Sequence, residues 1–174
     1  MKESIGGTWL FGIVITFIVF FTTFISISTN HSKTFRVKDE ILNIIEFYKG
    51  VNDSSLAKIN DQLAIMRYFT FGECMDNSGE KSSPSKNMSA WYGFVSSDPN
   101  KRGVKNSTRA NYCIRKYVVS EDGKGPIGHP SSAYYQVVVF FKLDWPIIRS
   151  VFNIRIEGET SLVYRHKDKF DFAK

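Results

Sequence analysis

The sequence predicts an α+β protein: a long N-terminal helix, transmembrane in its first half and amphipathic in its second, packed on a small antiparallel β-sheet. Three observations carry this. No side chain from Ile5 to Thr29 is charged. From Phe35 to Tyr48, apolar residues return at helical spacing. From Ala90 onward the chain breaks into short apolar or alternating runs between clusters of Gly, Pro, Asn and Ser, the pattern of strands and turns.

The uncharged run contains Trp9-Leu10-Phe11-Gly12-Ile13-Val14-Ile15-Thr16-Phe17-Ile18-Val19-Phe20-Phe21, then Phe24, Ile25 and Ile27. As a helix it is roughly 37 Å long, enough to cross a bilayer with some tilt. Buried core helices with so long an uncharged run are uncommon. A cleaved signal peptide is the other alternative, since Ser26-Ile27-Ser28 loosely mimics a small-residue cleavage site, but the apolar region is about twice the usual length. The chain has no second run of this length, which predicts a single pass. The domain limits follow: a short tail at 1–4, the span at 5–29, an amphipathic extension at 30–50, an α+β domain at 51–166 and a flexible tail at 167–174.

The segment 29–33 holds no Pro or Gly and need not break the helix. Phe35, Ile41, Leu42, Ile45 and Tyr48 then form one face, with Lys38, Asp39, Asn43 and Glu46 between them, and Lys49-Gly50 supplies a stop signal. One helix is therefore expected from about Glu3 to Lys49. Asp53, Ser54 and Ser55 are N-cap candidates for a second helix carrying the stripe Leu56, Ile59, Leu63 and Met66 through Arg67. Phe69 to Phe71 reads as a short strand closed by Gly72, and residues 73–86 as loop. Strands are expected at Ala90–Val95 and Tyr112–Val119, with a turn at Asp98-Pro99-Asn100 and a basic connection over 101–111. Residues 121–132, with three glycines and two prolines, read as loop. Ala133 to Leu143 is apolar on both faces, which places it centrally in the sheet under a helix. Asp144-Trp145-Pro146 turns the chain. Phe152, Ile154 and Ile156 alternate with polar residues, Gly158 marks a bulge or turn, and Thr160 to Tyr164 continues as strand. Four or five strands are expected in all.

The overall charge of +6, with 43% hydrophobic and 23% charged residues, is ordinary for a globular domain and excludes a wholly disordered chain. Lys33, Arg36 and Lys38 just past the span favour a cytoplasmic C-terminal side by the positive-inside rule, yet a long folded domain translocates regardless of such charges. Cys74 and Cys113 form an even pair in a loop-rich region, and an exported domain would favour joining them; two separate buried thiols are the alternative. The balance places the C-terminal domain on the extracytoplasmic side of the cell membrane.

Chemical signatures are sparse. His31, His129 and His166 are scattered outside any metal-ligand spacing, and no P-loop, G-x-G-x-x-G or G-x-S-x-G occurs, so no cofactor is expected. A sortase-like transpeptidase needs a His upstream of its nucleophilic Cys, and none lies between His31 and His129. The densest charge feature is Lys101, Arg102, Lys105, Arg109, Arg115 and Lys116, which reads either as an anion contact (a wall polymer, lipid headgroup or nucleic acid) or as a solvated loop. Trp91, Tyr92, Tyr112, Tyr134 and Tyr135 read either as a binding platform or, better suited to their strand positions, as core. In the span, Gly6, Gly7, Gly12 and Thr16, with Thr8, Thr22 and Thr23, allow close helix approach.

The layout of a short leader, apolar helix, amphipathic continuation and small sheet domain resembles a type IV pilin-like protein. The opening Lys2-Glu3-Ser4-Ile5-Gly6-Gly7-Thr8-Trp9-Leu10-Phe11 and the segments Leu143-Asp144-Trp145-Pro146 and Phe152 to Thr160 are similar to Tad-type pseudopilins of Gram-positive bacteria. The resemblance implies a non-enzymatic subunit whose helix packs with those of other pilin-like subunits in a pilus or its assembly machine, the sheet domain facing outward. It departs from the family at one place: a cut after Gly7 would put Gly12 at the fifth position, where pilins carry glutamate.

Overall fold

The computed structural model describes residues 2–75, 88–96, 103–120, 131–142 and 153–165. The expected turns at Asp98-Pro99-Asn100 and Asp144-Trp145-Pro146, most of the loops at 73–86 and 121–132, and the tail from His166 lie outside them. The class is α+β, with a long N-terminal helix, a short second helix and a six-stranded antiparallel sheet. Helix α1 runs Lys2–Phe47 and α2 runs Asp53–Ile65; the strands are β1 (Tyr92–Phe94), β2 (Val104–Lys105), β3 (Tyr112–Ser120), β4 (Ser131–Lys142), β5 (Asn153–Glu159) and β6 (Val163–Arg165). The chain divides into two compact units, Met1–Lys33 and Thr34–Lys174.

In the second unit, α1 buries Thr34, Val37, Ile41, Ile44 and Ile45, a stripe at three- and four-residue intervals. Each fully buried aliphatic side chain on it contributes roughly 1.5–3 kcal/mol. The helix ends with Lys49 at φ 52° and Gly50 at φ 129°, and Gly50 N–H donates to Ile45 C=O at 2.8 Å. The second helix is capped by Asn52, one residue before the expected candidates. Its Oδ1 accepts from Ser55 N–H at 2.8 Å, and Ser55 Oγ accepts from Asn52 N–H at 2.8 Å. Leu56, Ile59 and Leu63 complete the apolar layer.

The sheet order is β2-β1-β3-β4-β5, with β6 also on β4. Strand β4 is central, as its continuous apolar run predicts, and its two faces serve two clusters. Tyr135, Val137, Val139 and Phe141 join the layer of α1 and α2; Val138 and Phe140 join Cys74, Trp91, Ala110 and Cys113 on the opposite face. Four expectations are corrected. The sheet has six strands rather than four or five. Residues 69–71 form no strand, because only Gly72 pairs, in an isolated bridge to Ala110. The basic connection contains the edge strand β2. Gly158 lies inside β5 opposite Val137, and the interruption falls at residues 160–162. There Thr160 N–H donates to Tyr135 C=O and its Oγ1 accepts from Tyr135 N–H, both at 2.9 Å, so one threonine carries β4 across the gap between β5 and β6.

Candidate functional site

The first unit is helical throughout its described length, and no residue of its most apolar 18-residue window is buried. Trp9, Leu10, Phe11, Phe17, Ile18, Phe20, Phe24 and Ile25 are exposed, and consecutive members point in different directions around the helix. In water such a surface would be strongly unfavourable; in hydrocarbon it is matched. The threonines suit the same solvent. Thr16 Oγ1 donates to Gly12 C=O at 2.9 Å, Thr22 to Ile18, Thr23 to Val19 and Thr29 to Ile25, so each hydroxyl is satisfied by its own helix. α1 is thus a candidate membrane span. Of the helix-packing candidates, Gly6, Gly7, Gly12 and Thr16 all lie on α1. A Cβ at Gly7 or Gly12 would meet nothing within 4 Å, so their backbone is open to approach. Gly12 and Thr16 are four residues apart, hence on one face.

In the second unit, Cys74 and Cys113 are joined in a disulfide, their Cα atoms 5.6 Å apart. The alternative of two separate thiols is thereby closed. The bond ties the segment after α2 to β3 beneath Gly93, where an added Cβ would lie 2.7 Å from Cys74 Sγ. Beside it Trp91 is buried, with the Arg115 guanidinium 4.4 Å and the Arg155 guanidinium 5.9 Å from its ring. Arg115 Nε donates to Gln136 Oε1 at 2.9 Å, and Gln136 Nε2 donates to Glu159 Oε1. These three residues occupy one rung across β3, β4 and β5. Arg155 donates to Met75 C=O and lies 3.6 Å from Glu157. Two rungs on, Tyr117 and Tyr134 stack at 4.8 Å. Burial raises the pKa of Tyr134, with the nearby Glu159 and Tyr117 adding to the rise and Arg115 opposing it.

Of the basic cluster, Lys101 and Arg102 lie outside the described residues, and the other four are distributed over β2, β3 and the segment between them. Lys105 is exposed on edge strand β2, and Arg109 sits 4.5 Å over the Phe71 ring. Arg115 and Lys116 are strand neighbours and point to opposite faces of β3. Among the aromatic candidates, Trp91, Tyr112 and Tyr135 are buried and Tyr92 packs against the core, so the platform is mainly interior. Among the described residues no group of three or more His, Cys, Asp and Glu could hold a metal ion.

Two arrangements escape sequence reasoning. The Tyr68 hydroxyl accepts from Phe140 N–H at 2.8 Å and donates to Phe140 C=O. Asn111 Oδ1 accepts from Ser96 N–H at 2.9 Å while its Nδ2 donates to Thr70 C=O at 3.0 Å, joining two segments to the start of β3. Both depend on partners distant in the chain and carry no local signal.

No protein-family model, no curated protein and no solved structure matches this chain.

Proposed function

We propose that the chain is a non-enzymatic, membrane-anchored, pilin-like structural subunit. Its apolar helix crosses the cell membrane once and packs with the helices of other such subunits; its disulfide-containing α+β domain lies on the extracytoplasmic side. The observation that carries this reading is the helix surface over residues 7–29, with large apolar side chains exposed around it and the hydroxyls of Thr16, Thr22, Thr23 and Thr29 bonded to the helix's own carbonyls. The joined Cys74 and Cys113 support the oxidising side, since reducing compartments keep thiols apart. The open backbone at Gly12, one turn from Thr16, supports helix–helix contact in lipid, where small residues let backbones approach. The layout it shares with pilin-like proteins supplies the assembly.

The test is disulfide cross-linking in native membranes. Single cysteines are added in turn at Gly12, Thr16, Val14 and Phe21, the last two on the opposite face of the helix, and the domain's own pair serves as the internal oxidised control. Linked dimers and higher species at Gly12 and Thr16, with little linkage at Val14 and Phe21, are expected. Monomer at all four positions would leave a solitary anchored domain and end the subunit reading. Recovery of the chain in the soluble fraction without its first thirty residues would end the anchor reading itself.

A further inference from the structure

The second unit carries a cluster of exposed large apolar side chains at one end, and the hydrogen bonds and close approaches within the unit fix which end it is. Helix α2 runs back along α1. Its cap Asn52 reaches Tyr48 C=O at 3.4 Å, and ten residues later Gln62 Nε2 donates to Glu40 Oε1 at 3.2 Å. The end of α2 therefore lies at the Thr34 end of α1. Strand β5 runs in the same sense as α1: an added Cβ at Gly158 would lie 2.8 Å from Lys38 Cδ and 2.9 Å from Leu42 Cδ1, while Ser161 N–H donates to Glu46 Oε1 at 2.6 Å. Ile154, four residues before Gly158 and about 13 Å back along the strand, thus lies at the Thr34 end as well. Phe69 is held there through its neighbour Tyr68, bonded to Phe140, which pairs with Arg155 at the start of β5.

Four residues from three separate stretches meet this description. Phe35 is 38% exposed, Ile65 73%, Phe69 65% and Ile154 44%. Arg36 and Arg67 are exposed beside Phe35 and Ile65 in the chain, and Arg67 is held with φ 50° just past the helix end. The nearest α1 acids stand a turn farther from that end. Asp39 is 2.9 Å from Lys38 Nζ, and Glu40 is bonded to Gln62.

The tether limits how far this end can stand from the bilayer. Only four residues separate Thr29, the last of the uncharged run, from Thr34, the first buried residue of the domain. Even fully extended, the chain from Thr29 to Thr34 reaches at most about 18 Å, and the headgroup layer itself accounts for several of those. Apolar side chains with arginines among them suit the headgroup–acyl boundary, particularly of anionic lipid.

We propose that this end of the domain, formed by Phe35, Ile65, Phe69 and Ile154 with Arg36 and Arg67, is an interfacial docking surface that seats on an anionic lipid layer. The inference rests on the membrane-anchored reading above. It makes the domain's height over the bilayer a property of the fold rather than of a loose tether.

The experiment uses the full chain reconstituted in vesicles of phosphatidylcholine and phosphatidylglycerol. An environment-sensitive fluorophore is placed on a single added cysteine: Ile65→Cys, Phe69→Cys, Phe47→Cys or Phe20→Cys. Phe47 is 81% exposed at the opposite end of the helical pair and serves as the aqueous reference. Phe20 lies within the apolar run and serves as the membrane reference. Labels at 65 and 69 are expected to shift to the blue and to be quenched by a headgroup-proximal nitroxide lipid, while the label at 47 is not. In phosphatidylcholine alone their quenching should fall. Water-like emission at 65 and 69 with a quenched label at 20 would overturn the docking surface and leave the anchor standing. A blue shift at 65 and 69 without lipid quenching would assign the surface to a covering protein segment and also overturn it. A label at 20 that stays water-like would overturn both readings together.

Discussion

The phenol of Tyr68 stands in for a β-strand beside Phe140. Strand β3 begins at Tyr112, opposite Val139, so Phe140 lies one residue beyond its reach. Its N–H and C=O are met instead by one hydroxyl, which accepts from the first at 2.8 Å and donates to the second. Tyr68→Phe keeps the ring and removes that oxygen, leaving two buried backbone groups unpaired. The expected loss is about 2–6 kcal/mol, since each unsatisfied buried group costs roughly 1–3. Urea unfolding of the full chain in detergent, followed by tyrosine and tryptophan fluorescence, measures it.

The same burial makes stability fall in alkali. Desolvation pushes the Tyr68 pKa from its ordinary 10.0 up to about 12, against the lowering effect of its bond to Phe140. Burial raises Tyr112 as well. A raised folded-state pKa favours the neutral phenol in the fold, so the stabilisation is complete below pH 10. It is lost as pH climbs toward 12, by about 3 kcal/mol for Tyr68 alone. Denaturation midpoints taken between pH 8 and pH 12 should stay level and then fall. A midpoint that rises over that range would contradict the sign.

The disulfide closes a loop with a sequence separation of 39, and both sulfurs are buried. Loop-closure entropy assigns such a bond about 4 kcal/mol. Replacing both cysteines with alanine should lower stability by about 4 kcal/mol, and the small voids left beside Trp91 add to that loss. Reductant should act slowly on the native domain and quickly once denaturant opens it, as thiol trapping against time would show.

These residues show which parts of the fold can be read along the chain. The helix α1 is legible because its apolar run is long and its buried stripe recurs at three and four residues. Strand β4 is legible because a run such as Tyr135 to Phe141 has no polar face to offer water. Asn52 is less so: Asn52, Asp53, Ser54 and Ser55 are all competent caps, and the reciprocal bond with Ser55 selects among them. The break between β5 and β6 has no Pro or Gly to announce it, since Thr160 makes it by bonding both backbone groups of Tyr135. The short strands β1 and β2 have three and two residues, too few for any periodicity. Arg115 and Lys116 are adjacent in the sequence yet face opposite sides of β3, because neighbouring strand residues alternate.

Close approach rather than backbone freedom accounts for Gly72. A Cβ there would lie 2.1–2.4 Å from three atoms of the Phe140 ring, in the bridge to Ala110. Gly72→Ala must displace that ring, and overpacking of this kind costs typically about 1–3 kcal/mol. Because Phe140 is the obstacle, Phe140→Leu in the Gly72→Ala background should recover part of the loss, though Phe140→Leu alone destabilises. The double-mutant cycle should therefore show a coupling energy of about 0.5 kcal/mol or more. Additivity of the two losses would mean that the obstruction lies elsewhere.

The basic residues divide into those that a binding assay can interrogate and those that it cannot. Arg115 is held by Gln136 and lies against Trp91, so Arg115→Glu removes a charge-assisted bond and a cation–π contact and sets a carboxylate near Glu159. A loss of about 1.5–3 kcal/mol is expected from the bond to a charged group alone. Lys105 is exposed on β2, and Lys105→Glu should change stability by no more than about 0.5 kcal/mol. Thermal unfolding measured beside retention on an anionic polymer separates the two effects. If the surface binds anions through this region, Lys105→Glu lowers retention at unchanged stability. If only Arg115→Glu lowers it, in step with the unfolded fraction, the cluster is structural. Equal stability of the two variants would remove the Trp91–Arg115–Gln136 row from the interactions that hold the sheet.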